Sequence, residues 1–366
     1  MIGHSLALGL FFVVGTFGVA TLAKPSSHPK PVAKWFMPDE GDEHARTWMA
    51  FGASEEIWGK KLLPEVQRNL ATIAKTIAKY EPVTMLVREE EYDLAKKLVG
   101  DSVDLEVTDL DDLWIRDTGP TFVLDGNGSK AAVNLNFNGW GNKQDHDDDQ
   151  HVADFIAEKA GVKALTTKLI LEGGSIEVDG EGTAIVSESC VLNSNRNPGV
   201  SKAAFEKELK QLLGLDKIIW IPGIKGKDIT EGHTDFYARF ARPGVVVAGY
   251  DPDPDSYDNK VTKKHLQILR AAVDADGRKL QVIVLTGPSS VRKKFETDEF
   301  AAGYIGYYLV NGAVIMQEFG DVKADKAAKV ALQKAFPDRK IAQLNIDGIA
   351  AGGGSIHCAA QQEPKG

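Results

Sequence analysis

Residues 176–186 read I-E-V-D-G-E-G-T-A-I-V, two short β-branched runs separated by D-G-E-G. That composition turns the chain tightly and folds one run back on the other as a hairpin. The same grammar recurs at 121–124, where D-G-N-G separates T-F-V-L from the run at 131–137. Further β-rich runs stand at 82–88, 175–178, 183–187, 245–248, 281–285 and 313–316. Helical spacing of apolar residues fits 62–79, 151–159, 202–213, 260–273 and 323–336. The alternation predicts an α/β fold with hairpins inside its units, and not a sheet made only of strand–helix–strand crossovers.

Glycine and acidic signals punctuate this alternation at 117–119, 172–174, 232–235, 303–306 and 352–354. They recur irregularly, roughly 50 to 70 residues apart, which allows about five strand-containing units. Units repeated about a centre would bring different side chains to one mouth, although periodicity alone does not decide closure.

The chain has 366 residues and a formal net charge of −9. Residues 5–23 contain no Asp, Glu, Lys or Arg and end in T-L-A, so they read as a cleavable signal peptide. Residues 24–34 read as a flexible lead and 35–366 as one catalytic domain. The expected location is therefore secreted, or periplasmic in a Gram-negative host. No later apolar run is long enough for a stable membrane span once the leader is removed. The acidic balance argues against nucleic acid and mildly favours a small cationic partner. Nothing in the sequence marks a self-complementary surface, so homo-oligomerisation stays open.

Phosphate-loop, H-E-x-x-H and G-x-S-x-G patterns are absent from the sequence. Asp145–Asp149 with His151 reads as a solvated helix start, and the Asp-Pro run at 251–255 reads as a turn. Asn127 opens N-G-S in a turn and fits a glycosylation acceptor.

Two cysteines are present, Cys190 and Cys358. Cys358 follows G-G-G-S-I-H; a thiolate there is a strong nucleophile, and the glycines would admit a ligand close to the backbone. Pairing with Cys190 is the alternative, with Cys190 otherwise an apolar filler. His357 is adjacent and would point away from Cys358 on an extended segment. In G-H-T-D-F-Y-A-R-F, the spacing of His233 and Asp235 puts both on one face if that segment is extended. His233 would then move protons and Asp235 hold a planar cation, although histidine beside carboxylates also suits a metal.

Asp117 in D-D-L-W-I-R-D-T-G-P is a candidate for bidentate guanidinium binding, with Trp114 covering the substrate. Both face one pocket only if the chain bends before Gly119. Arg116 paired with Asp111 or Asp112 is the structural alternative. Glu172 in L-E-G-G-S-I would either touch the substrate or orient His233.

Five ordered stretches carry a family resemblance: M-P-D-E-G-D-E-H-A-R-T-W-M-A-F at 37–51, D-D-L-W-I-R-D-T-G-P at 111–120, L-E-G-G-S-I-E-V-D-G-E-G-T at 171–183, G-H-T-D-F-Y-A-R-F at 232–240 and G-G-G-S-I-H-C-A-A-Q-Q-E-P at 352–364. The chain resembles the agmatine deiminases and, more broadly, the bacterial-type peptidylarginine deiminase family. The resemblance implies a five-bladed α/β propeller, pseudo-fivefold around a central active site, working without metal or organic cofactor. It implies that Asp117 and Asp235 grip a guanidinium, Glu172 supports the site, His233 is acid and base, Trp114 walls the pocket, and Cys358 forms an amidino-thioether. The implied reaction is hydrolysis of agmatine to N-carbamoylputrescine and ammonia. Departures near Gly41, Glu43 and Phe236 would reshape the distal pocket. Arginine or peptidyl-arginine, giving citrulline, is the alternative substrate. An inactive secreted cation-binding propeller is the alternative of a different class.

Overall fold

The computed structural model describes residues 35–366; the expected leader at 1–23 and lead at 24–34 lie outside the described residues. β1 (His44–Ala50) is followed by the helix Glu55–Ile77, the parallel strand β2 (Val83–Val87), the helix Tyr92–Val99 and β3 (Asp104–Val107), parallel to β2. A shared plan then appears. β4 (Thr121–Leu124) and β5 (Lys130–Asn134) form an antiparallel hairpin, and the helix Val152–Lys159 returns the chain to β6 (Lys163–Thr166), parallel to β5.

The plan repeats with β7 (Ile176–Val178), β8 (Thr183–Ser187), the helix Lys202–Leu213 and β9 (Lys217–Ile221). It repeats again with β10 (Ala238–Arg242), β11 (Val245–Tyr250), the helix Tyr257–Ala271 and β12 (Gln281–Thr286). A further copy comprises β13 (Tyr308–Val310), β14 (Ala313–Glu318), the helix Val322–Ala335 and β15 (Lys340–Asn345). β16 (Gln361–Pro364) returns to pair antiparallel with β1, so the final strand supplies the hairpin partner of the first sheet, giving the order β16-β1-β2-β3.

Four of these six helices are started by a cap in their own stretch. Ser54, Ser201, Ser256 and Asp321 accept backbone N–H groups at four helix starts, and Gly214 closes Lys202–Leu213 in the left-handed conformation. The long first helix starts at Glu55, seven residues before the expected 62, because Ser54 caps it and Gly59 absorbs a kink at φ 66°. Strands β2 and β8 are buried at all five positions, as expected of central strands in a mixed sheet covered by helices.

Site residues sit at one recurring place, the turn that enters the outer strand of a hairpin. Asp117 lies in the turn before β4, Glu172 before β7, His233 and Asp235 before β10, and Cys358 before β16. The acidic run at 145–149 has a structural job. Asp149 is buried and accepts the backbone N–H groups of Asp111 and Asp112 at 3.1 and 3.2 Å, pinning the segment that leads to Asp117.

Candidate active site

Cys358 is 6% exposed, with Sγ 3.2 Å from Ser355 Oγ and 4.0 Å from Asp235 Oδ2. Burial, followed by the charges of Asp235 and Asp117, pushes its thiol up to about 12. A cation resting against those carboxylates reverses that bias and favours thiolate. Cys190 is a second free, buried thiol, so the two cysteines are unpaired.

The segment carrying His233 is not extended: Thr234–Phe236 is a 3-10 turn. Both side chains nevertheless reach the centre. His233 Nδ1 stands 3.8 Å from Asp117 Oδ1 and 4.0 Å from Asp235 Oδ1, while Nε2 meets Glu172 Oε2 at 3.2 Å. Burial opposes charge on His233, but Asp117, Cys190 and Glu172 together raise its pKa well above the usual imidazole value. That balance favours the protonated imidazole beside Asp117.

Asp235 Oδ2 is bonded to His357 Nδ1 at 2.6 Å, and its buried Oδ1 has no hydrogen-bond partner. An orphaned carboxylate oxygen suits a donor-rich cation. Burial works against its ionisation, yet the His357 contact and charge hold its pKa below the ordinary carboxylate value. His357 therefore does not simply turn away from the site. The residues around it form a turn, and its Nε2 reaches Glu40 Oε2 at 2.9 Å.

Glu172 is fully buried, clasped by Arg196 Nε at 2.7 and 3.0 Å, and does not line the cavity. Of the two roles expected for it, contact with His233 is the one seen here. Burial raises its pKa, but His233 and Arg196 outweigh this and lower it.

Trp114 and Asp117 share the pocket because Ile115–Thr118 is a helical turn, the bend that a strand reading required. All three glycines before Cys358 line the cavity, and two of them also make room for tryptophans. A Cβ on Gly354 would fall 2.1 Å from the Trp114 ring, and one on Gly352 would fall 2.3 Å from the Trp58 ring. Arg116 pairs with Glu40 at 3.1 Å, not with Asp111 or Asp112. Asn127 is exposed at the β4–β5 turn, away from the cavity lining.

Several participants carried no assigned role in the sequence. Trp140 donates Nε1–H to Asp117 Oδ2 at 3.0 Å from a left-handed backbone (φ 53°) in N-G-W-G-N. A tryptophan between glycines was the available signal. Glu40 gathers His357, Arg116 and Arg239 beneath the site, and Arg196 orients Glu172; neither had a local pattern to reveal it.

Asp117, His233, Cys358 and Trp114 open onto a cavity of about 1000 Å³, whereas Asp235, like Glu172, does not line it and stands behind Cys358 at 4.0 Å from Sγ. Its wall carries Asp112, Asp228, Asp251, Asp253, Asp258, Asp298 and Glu299 against two lysines, Lys143 paired with Glu231 and Lys227 over the Tyr257 ring, and no arginine lines it among the described residues. Phe236 borders this space, whereas Gly41 and Glu43 do not, so only Phe236 among the three departures acts on the pocket wall directly.

Residues 36–364 match the family model described as Porphyromonas-type peptidyl-arginine deiminase. An agmatine deiminase of Pseudomonas aeruginosa strain LESB58 is 35% identical, covering 94% of this chain and 99% of that protein. One from Stutzerimonas stutzeri strain A1501 is 36% identical, covering 90% of this chain and 95% of its own length. Among solved structures, the agmatine deiminase of Enterococcus faecalis superposes with a TM-score of 0.85 at 31% identity, covering 94% of this chain and all of that one. A variant agmatine deiminase of C. jejuni with substrate bound gives 0.81 at 27% identity, covering 91% and 97%.

Proposed function

The chain belongs to the Porphyromonas-type peptidyl-arginine deiminase family, and from that premise we propose that it hydrolyses agmatine to N-carbamoylputrescine and ammonia. The observation that carries the substrate choice is the cavity itself. Cys358, His233 and Asp117 stand at its reactive end, while the rest of its wall has six aspartates and Glu299 against two lysines, Lys143 and Lys227, with no arginine among the described residues. Agmatine has a cation at each end and no carboxylate, so acidic walls attract it without demanding a partner for a carboxylate.

In the proposed reaction Asp117 and Asp235 hold the guanidinium edge-on, and its charge helps the Cys358 proton leave to solvent. The Sγ electron pair attacks the guanidinium carbon. His233 gives its proton to the departing nitrogen, the C–N bond breaks, and ammonia leaves an amidino-thioether on Cys358. Water then adds to the same carbon, passing a proton to His233. Collapse breaks the C–S bond, returns the thiolate, sheds the remaining hydroxyl proton to solvent and releases the neutral ureido product. Glu172, held by Arg196, keeps the imidazole aligned and charged between steps. Trp114 bounds the bound substrate.

The five sheets with one recurring plan, together with the return of β16 to β1, support a closed five-bladed propeller with the site at its centre. The apolar run at 5–23 supports cleavage of a leader and export, with residues 35–366 acting as one catalytic domain.

The test presents equal concentrations of agmatine, free arginine and a peptide with internal arginine to the protein from residue 24 onward, with Cys358 kept reduced. Ammonia and ureido product are quantified for each. The expected kcat/KM for agmatine exceeds the others by at least about tenfold, the low end of the discrimination that one altered pocket contact produces. Preference for arginine or the peptide replaces the substrate, and absence of product from all three replaces catalysis with cation binding.

A further inference from the structure

Cys190 has no part in the chemistry above, yet it is buried against it. Its Sγ lies 3.6 Å from Glu172 Oε2, the same oxygen that meets His233 Nε2 at 3.2 Å. The three ligand atoms all fall within 4.8 Å of one another. Tetrahedral zinc with bonds of about 2.0–2.1 Å to N and O and about 2.3 Å to S holds neighbouring ligand atoms roughly 3.2–3.7 Å apart. Both measured separations match that spacing. We infer that Cys190, Glu172 and His233 form a binding site for a soft divalent cation, Zn²⁺ above all, which catalysis does not use and which switches catalysis off.

Thiolate, imidazole and carboxylate are the donor types zinc takes from proteins. The surroundings supply the outer contacts that such a set needs. Arg196 holds Glu172 Oε1 at 2.7 Å while also touching Oε2 at 3.0 Å. His233 Nδ1 faces Asp117 and Asp235 at 3.8 and 4.0 Å, within a small adjustment of the carboxylate contact that orients a metal-bound imidazole.

The exchange also balances. Zn–S, Zn–N and Zn–O bonds form, the Cys190 S–H and His233 Nε2–H bonds break, and two protons go to solvent. Two positive charges replace two, so the Arg196 guanidinium meets no added charge in this dry place, and nothing is oxidised or reduced. His233 bound through Nε2 keeps a single proton on Nδ1. It is then a neutral imidazole, without the second proton that ammonia departure requires. The inhibition rests on the acid–base role proposed for His233; the binding does not.

Cadmium serves as the probe for binding, because a Cd–thiolate bond absorbs in the ultraviolet. Cd²⁺ is titrated into the Cys358→Ser and Cys190→Ser proteins without added thiol, and Zn²⁺ inhibition of ammonia release is measured on the parent and on Cys190→Ser. The Cys358→Ser protein is expected to show the band of one thiolate per chain, and Cys190→Ser to lose it. Zn²⁺ that lowers the parent rate by at least about tenfold should leave Cys190→Ser near its own zinc-free rate, the range over which metal-site perturbations act. Cys190→Ala carries the same expectations if serine disturbs the fold. A band missing from Cys358→Ser overturns the site, as does one of equal strength in Cys190→Ser. If no guanidine substrate releases ammonia, the enzymatic reading fails while the cadmium bands still decide the site.

Discussion

Trp140 keeps a backbone conformation that side chains other than glycine seldom adopt, and in return its indole N–H reaches Asp117 Oδ2 at 3.0 Å. That bond leaves Asp117 with a fixed carboxylate plane, while Gly174 N–H binds the other oxygen at 3.2 Å. Trp140→Phe retains an aromatic ring and removes the donor. A hydrogen bond to a charged group contributes about 1.5–3 kcal/mol, so kcat/KM for agmatine should fall roughly ten- to a hundredfold with the circular dichroism spectrum unchanged. An unaltered kcat/KM would show that the indole does not position Asp117. Gly174 illustrates the same closeness from the other side. A Cβ there would lie 2.6 Å from His233 Nδ1, so the second glycine of L-E-G-G-S is required by the histidine it touches.

The helix Tyr257–Ala271 packs His265 under the site wall, where its Nε2 accepts the Gly223 N–H at 3.1 Å and its ring meets Tyr237 edge-on at 4.5 Å. Its Nδ1 is buried without a partner, and burial pushes its pKa down to about 4. The unfolded chain, with an ordinary imidazole near 6.5, binds this proton throughout the interval from about 6.5 to about 4, whereas the folded chain does not. More protons on the unfolded state means that stability falls as pH falls across that window and is recovered above it. His265→Gln retains an acceptor without the titration. Urea unfolding at pH 7 and at pH 4.5 should show the parent losing on the order of 2 kcal/mol more than the variant. Equal losses would mean that His265 is not the group being titrated.

At the scale of the whole molecule, β16 joins the end of the chain to its beginning. It pairs with β1 from Trp48↔Gln361 to His44↔Pro364, and Glu363 receives both the Trp48 indole N–H at 2.9 Å and Lys130. Cys358 lies three residues upstream, so the same pairing that completes the sheet also locates the proposed nucleophile. A chain ending at Ala360 would leave β1 with an open edge and Trp48 with a buried donor lacking its partner. Since a domain's net stability is about 5–15 kcal/mol, this loss should place the shortened protein largely in protease-sensitive, unfolded form at 37 °C. Limited proteolysis and thermal unfolding measure it; a native-like melting temperature would refute the closure as a source of stability.

Much of this was written locally. D-G-E-G and D-G-N-G turns, buried β-branched runs and amphipathic helices are decided by neighbours in sequence, which is why the α/β class and its recurring units were legible. Cys358 and the carboxylates Asp117 and Glu172, the residues proposed for the chemistry, stood in distinctive glycine-rich turns for the same reason. The third strands β3 and β6 escaped notice because D-L-E-V and K-A-L-T are largely exposed edges without an apolar pattern. β16, Q-Q-E-P, reads as a polar tail and is buried only because β1 is waiting for it. Tertiary structure alone decided that Glu172 meets His233, that Arg196 and Glu40 sit beneath the site, and that Cys190 stands beside Glu172 and His233. Those relations join residues from separate sheets, and a charge pair or a thiol contact of that kind has no signature until folding removes the water between its partners.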